Sequence, residues 1–357
     1  MGEERANWLE PLSNAEMIET PTARPVRASW LRRVVVAAAV LILLVAAAGF
    51  LYENISEARD RRFHPMPGQR VNVEDSDDSP LSMHIYCVGE GSPAVVLDSG
   101  LGDSYISWQK VQPQIAAFTR VCSYDRAGIG YSGVSSRPRT SQSIAEELNA
   151  LLHAASVAPP YVLVGHSMGG YDVRVFAGDY PKEVAGMVLV DASHPDQEKR
   201  LPPELKNMEG TWQREAEFLE YTMPFGVPRL LGLCDQNLMQ RAVECNLHTA
   251  REGVAELKEF PVSAAEAAAA GSLGNLPLAV LSHDPEKPSA EMPPDLAKPT
   301  NEAWEKMQEE LAQLSSRGTQ TIAKNSAHYI QIDRPDVVVA GVRDVVNQAR
   351  AGQTASR

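Results

Sequence analysis

Residues 34–51 read VVVAAAVLILLVAAAGFL without a charge, and beyond about residue 71 short apolar runs alternate with longer amphipathic stretches. The first of these patterns, 18 residues long, just reaches the length that spans a bilayer core and has no polar face to offer water. Among the later runs, residues 81–88, 94–98, 120–124, 161–164, 185–190, 278–281 and 319–323 read as strands, rich in Val, Ile and Leu. Residues 141–155, 170–179, 301–315 and 336–349 read as helices. Runs such as YVLV and MVLV are apolar at every position, as strands buried on both faces are, so the pattern predicts an α/β fold: a mostly parallel sheet flanked by helices. The alternation lapses over residues 195–274, a Met- and Glu-rich, Pro-punctuated helical stretch that reads as a cap inserted into the fold.

The organisation predicted is a cytoplasmic tail at 1–33, a transmembrane anchor or signal segment at 34–52 and a charged linker at 53–70. The core follows at 71–194 and 275–350, with the helical cap at 195–274 between its halves. Arg24, Arg27, Arg32 and Arg33 precede the apolar segment and favour a cytoplasmic N-terminus, which puts the body on the extracytoplasmic side. Cleavage of a signal peptide near Ala46-Ala47-Ala48, giving a secreted protein, is the rival reading. On the anchor reading, deleting residues 1–60 is expected to release a soluble, active body.

Charge narrows the partners. The chain has 33 basic and 46 acidic residues, a net of −13. Five Arg and five acidic residues cancel within the first 33, so the excess lies in the body. An acidic body without a basic stripe is a poor match for nucleic acid. Oligomeric state is left open. Four Cys without a CxxC pair argue against a zinc ribbon. Cys87 and Cys122, both on predicted strands, read as buried thiols; Cys234 and Cys245 can bridge if the body lies outside the cytoplasm. Neither a metal-binding His pattern nor a Gly-rich dinucleotide loop is present, so no metal and no cofactor are expected.

The chemistry starts at Gly165-His166-Ser167-Met168-Gly169, a G-x-S-x-G pentapeptide between the strand YVLV and the helical stretch GYDVRVFAGDY. That context is a sharp strand-to-helix turn exposing a serine hydroxyl, with the Met168 N–H placed to meet an oxyanion.

With VVLDSGLGDS, YDRAGIGYS, YVLVGHSMGG, EVAGMVLVDAS and NSAHYIQIDRP in this order, residues from about 71 to 346 resemble the α/β-hydrolase family. The resemblance implies Ser167 as nucleophile, His328 as base, and the Met168 and Leu101 N–H groups as oxyanion hole. Ser99 departs from the His that the family often carries there. Asp125 and Arg126 are expected to be structural. The resemblance leaves the acid open: Asp191 at the end of MVLV, Asp284 after LPLAVL, or Glu286 beside it. The serine nucleophile excludes the family's Asp-dependent dehalogenases and epoxide hydrolases. The activity implied is a membrane-anchored serine hydrolase, esterase- or lipase-like, on a small or lipid-like ester. A lactonase, an amidase or peptidase, or a cofactor-free haloperoxidase is the alternative on the same triad, and a non-catalytic binding protein is the remaining one.

Overall fold

The computed structural model describes residues 26–74, 80–234, 237–287 and 292–355. Most of the predicted tail therefore lies outside the described residues. The chain divides at Ala47/Ala48 into two units. What is described of the first is part of helix α1 (Val26–Phe63), which from Trp30 is long and apolar enough to cross a membrane.

The second unit is built on one sheet. Its strands are β1 (Gln69–Glu74), β2 (Pro80–Val88), β3 (Ala94–Asp98), β4 (Val121–Tyr124), β5 (Tyr161–His166), β6 (Val184–Val190), β7 (Leu278–His283) and β8 (Gly318–Ala323), in the order β1-β2-β4-β3-β5-β6-β7-β8. The β1–β2 and β2–β4 pairs are antiparallel and the rest parallel. Along β3, Val95 and Leu97 face one core and Val96 the other; along β6, Val188 and Val190 face one core and Leu189 the other. A strand with a core on each side has no wet face, which is why these runs are apolar throughout. On one side lie α2 (Gln112–Ile115) and, late in the chain, α12 (Pro335–Ala355); on the other lie α3 (Ser141–Ala154) and α4 (Gly169–Asp179). The Thr140 hydroxyl caps α3 by accepting from the Ser143 N–H.

After β6 come α5 (Gln197–Arg200), α6 (Glu204–Thr222), α7 (Val227–Leu230), α8 (Leu238–Glu244) and the long α9 (Leu247–Ala269), all in the stretch read as a cap. Two more helices, α10 (Pro294–Ala312) and α11 (Ile330–Asp333), complete the second half.

Three local expectations need correction. The presumed linker is helical as far as Phe63: NISEARDRRF contains good helix formers and an i,i+4 Arg61–Glu57 pair at 2.8 Å, and Pro65 then ends it. Strand β1 was not anticipated, because an edge strand with mostly exposed residues lacks an apolar run. Cys87 and Cys122 are not thiols: they face each other directly in the β2–β4 register and form a disulfide, as do Cys234 and Cys245.

The helical linker changes the expected truncation. Within the second unit, Arg229 donates to Glu53 Oε1 at 3.0 Å and also pairs with Asp60, and all three side chains are at most 7% exposed. Deleting residues 1–60 strands Arg229 in a buried site, which typically costs about 3 kcal/mol or more. Removal of residues 1–47 is therefore expected to leave the thermal midpoint unchanged, whereas removal of 1–60 lowers it by several degrees. Equal midpoints for both truncations in a calorimeter refute this.

Candidate active site

Ser167 sits between the end of β5 and the start of α4 with φ of 52°, in the left-handed region where a non-glycine residue is strained. The turn is that sharp only because its neighbours are glycines. A Cβ on Gly169 would lie 2.5 Å from the Ser99 carbonyl, and one on Gly165 would collide with the Gly169 backbone. The start of α4 therefore packs directly against the loop after β3, the loop that continues into Leu101. Among the described residues neither the Met168 nor the Leu101 amide is taken by a protein acceptor.

The loop carrying Leu101 is held from behind. Arg126, 2% exposed, donates to Asp98 Oδ1 at 2.9 Å and to the Ser99 and Gly100 carbonyls at 2.7 and 2.5 Å. Its remaining donors meet Glu256 of α9, whose Oε2 also accepts from the Gly102 N–H at 2.8 Å. Cap and oxyanion loop thus share one buried ion network. Asp125 is structural as expected, accepting from the amides of Tyr105 and Tyr131 at 2.8 and 3.0 Å and from His84 Nδ1 at 2.7 Å. Ser99, in place of the family's frequent His, donates to the Ser104 carbonyl at 2.9 Å and so closes its own loop.

Asp191, like Ser167, lies in the left-handed region, with φ of 44° just beyond β6. The bend turns a fully buried carboxylate toward the loop after β8, where Oδ2 accepts from His328 Nδ1 at 2.7 Å. Its Oδ1 accepts from Trp304 Nε1 at 2.9 Å and from the His283 backbone N–H at 3.0 Å, while His283 Nδ1 lies 2.9 Å from Oδ2. Burial alone would raise the pKa of Asp191; His283 and His328, by charge and hydrogen bonds, outweigh it and hold the carboxyl well below the usual range. Asp191 is therefore ionised at neutral pH.

Two histidines on one carboxylate invite the question of which can take a proton. Asn301 Nδ2 donates to the Pro285 carbonyl at 2.6 Å, which turns Oδ1 toward His283 Nε2 at 3.3 Å. Both His283 nitrogens then face acceptors, so the ring has no lone pair for a base. Burial lowers the His283 pKa, but the Asp191 charge, with the ring's hydrogen bonds to Asp191 and Asn301, leaves it raised. Among the described residues the His328 ring makes only its Nδ1 bond to Asp191, and it is 37% exposed. Ser167 Oγ is not hydrogen-bonded to His328 among the described residues, a looseness common before substrate binds. The third nearby histidine, His166, is buried with its pKa pressed down to about 3, first by burial and then by His328; its Nε2 donates to the His328 carbonyl at 3.2 Å.

Of the remaining acid candidates, Asp284 lies elsewhere. Its Oδ2 accepts from the Asn325 N–H at 2.8 Å and its Oδ1 from Lys324 and the Glu286 N–H at 3.2 and 3.1 Å, so it anchors the loop leading to His328 without touching that ring. Glu286 makes no contact with the histidine among the described residues. His283, Trp304, Asn301 and Glu256 were not foreseen as partners of the site. No motif marks them, and His283 and Trp304 lie 92 and 113 residues from Asp191 in sequence.

A mostly parallel sheet covered on both sides, with a serine delivered on the turn after a central strand, defines the α/β-hydrolase class. A sequence model of the alpha/beta hydrolase fold matches residues 93–266. The Bacillus subtilis (strain 168) protein YqjL is 29% identical over 262 residues, covering 72% of this chain and 85% of that protein. Among solved structures, a thermophilic esterase from Thermogutta terrifontis matches with a TM-score of 0.57 at 22% identity, covering 79% of this chain and 99% of its own. The enol-lactonase from Burkholderia xenovorans LB400 matches with a TM-score of 0.54 at 20% identity, covering 77% and 99%. The chain thus carries the alpha/beta hydrolase fold, which these solved structures share.

Proposed function

We propose that this protein is a membrane-anchored serine hydrolase that cleaves carboxylic esters through an acyl-enzyme. Ser167 is the nucleophile, His328 the base and Asp191 the acid; the Met168 and Leu101 N–H groups form the oxyanion hole. Ser167 Oγ attacks the ester carbonyl carbon as its proton passes to His328 Nε2. The oxyanion is held by the two amides, and Asp191 stabilises the imidazolium. Collapse expels the alcohol with the proton from His328, and water, deprotonated by the same histidine, then releases the acid and restores Ser167.

The observation that carries this reading is the Asp191 carboxyl group on His328 Nδ1, at the same sheet edge as the strained serine turn. The esterase and lactonase among the structural neighbours support ester chemistry at the level of fold. An extracytoplasmic body is supported by Arg24, Arg27, Arg32 and Arg33 before the apolar segment and by the two disulfides. The test is hydrolysis of p-nitrophenyl esters from acetate to laurate, alongside the matching anilides, by the full-length protein in detergent. Ester turnover is expected to exceed anilide turnover by about a hundredfold or more in kcat/KM, on the order of 3 kcal/mol of transition-state preference. Comparable rates on anilides make it an amidase, and no turnover of any ester removes the reading.

A further inference from the structure

The cap presents an apolar face that its own packing does not cover. Tyr221, Leu230, Leu231 and Leu233 are 72%, 66%, 62% and 57% exposed, and Phe218 and Phe225 are also exposed. Single exposed leucines are ordinary; six exposed aromatic and aliphatic side chains within sixteen residues of one cap mark an interaction surface.

The position of this face identifies its occupant. Segment 225–229 packs on the part of α1 that belongs to the second unit. A Cβ on Gly49 would stand 2.5 Å from the Phe225 carbonyl, and one on Gly226 would stand 2.7 Å from the Tyr52 ring. One turn further along α1, Arg229 grips Glu53 and Asp60, and Arg241 donates to Asp60 at 3.1 Å. Gly49 and Tyr52 bracket the end of the charge-free run, which closes at Leu51. Glu53 is the first charge after it. The exposed leucines therefore belong to a segment fastened where the chain leaves the hydrocarbon, and the Cys234–Cys245 disulfide ties the next residues to α8 and α9.

Behind the face lies a cavity of about 390 Å³, within the range of small-molecule sites, roughly 300–1,000 Å³. Its lining includes the exposed Leu233, the apolar Leu219, Met223, Val254 and Leu257, and Leu101 of the oxyanion loop. The charged liners are already engaged, Arg241 by Asp60 and Glu244 by the Ser104 hydroxyl at 2.7 Å. The lining is thus mostly apolar and includes both the exposed Leu233 and Leu101 of the oxyanion loop.

We propose that the exposed face of the cap seats in the outer leaflet, and that the cavity behind it receives the acyl chain of an ester resident in that leaflet. The proposal rests on the anchor and serine-hydrolase readings and names the substrate class: a long-chain lipid ester taken from the bilayer. The cap supplies the route by which an insoluble chain reaches Leu101 without crossing water.

The experiment uses the full-length protein in phosphatidylcholine vesicles, assayed on a fluorogenic diacyl ester carried in the bilayer and on soluble p-nitrophenyl butyrate. Leu230→Asp combined with Leu231→Asp lies outside the cavity lining and places two charges on the docking face. It is expected to lower hydrolysis of the bilayer ester at least ~10-fold, since charged residues are expelled from hydrocarbon, with the soluble ester kept within about twofold. All four cysteines are in disulfides, so a bimane dye on Leu231→Cys reports the face alone. Its fluorescence is expected to be quenched by brominated lipid. Equal hydrolysis of the bilayer ester by wild type and double variant, or an unquenched dye, overturns the proposal. A variant whose change is confined to self-association in detergent gives the face to a second copy of the chain and overturns it too. A wild type that hydrolyses neither ester removes the catalytic reading, and with it the substrate, while dye quenching still reports whether the face meets lipid.

Discussion

Ser167→Ala is expected to reduce ester turnover by several orders of magnitude and to abolish labelling by a fluorophosphonate probe. The probe forms a covalent bond only with a serine whose proton can be removed, and whose developing oxyanion is held by preorganised donors. On the proposed assignment those requirements fall to the left-handed Ser167, the Met168 and Leu101 amides, and His328, whose Nδ1 is fixed on Asp191. Alanine fits the turn as well as serine does, since the strain lies in the backbone, so the thermal midpoint should hardly move. His328→Ala should lose turnover comparably, because members of such a triad act as a unit. Equal labelling of wild type and Ser167→Ala would falsify the nucleophile assignment.

The second large effect separates the two aspartates. Asp191→Asn is expected to lower kcat by about a thousandfold or more. The amide replaces a carboxylate that faces two histidines and Trp304, so the imidazolium formed during catalysis loses its counter-charge and His328 loses its fixed tautomer. Asp284→Asn is expected to stay within about tenfold of wild type: its partners are the amides of Asn325 and Glu286 and the Lys324 ammonium, and the reacting groups are not among them. Both variants should be compared by kcat, with circular dichroism checking that each remains folded. The reverse ranking, Asp284→Asn inactive and Asp191→Asn active, would overturn the acid assignment.

The central sheet was legible because its strands are buried on both faces, a condition that leaves only apolar residues to choose from. Strand 94–98 was delimited correctly, and the others that were read as strands differ at their ends by one or two residues. The serine turn was equally legible, since its glycines are demanded by backbone contacts a few residues apart. Where the environment is half wet, the pattern fades: β1 at the sheet edge and the helix through Phe63 carry too little apolar signal to announce themselves. The Cys87–Cys122 bridge depends on strand register, and a slip of one residue would send the two side chains to opposite faces.

The sequence by itself determined the α/β class, the serine-bearing turn, the late histidine loop and an apolar segment long enough for a bilayer, because each is written in neighbouring residues under strong local constraint. Only the tertiary structure decided which carboxylate sits on His328, that His283 and Trp304 share it, and that the cap grips α1 through Arg229. Those groups meet across separations of 92 to 176 residues, where a contact depends on the bend at Asp191 and the packing of the cap, and no local pattern encodes either.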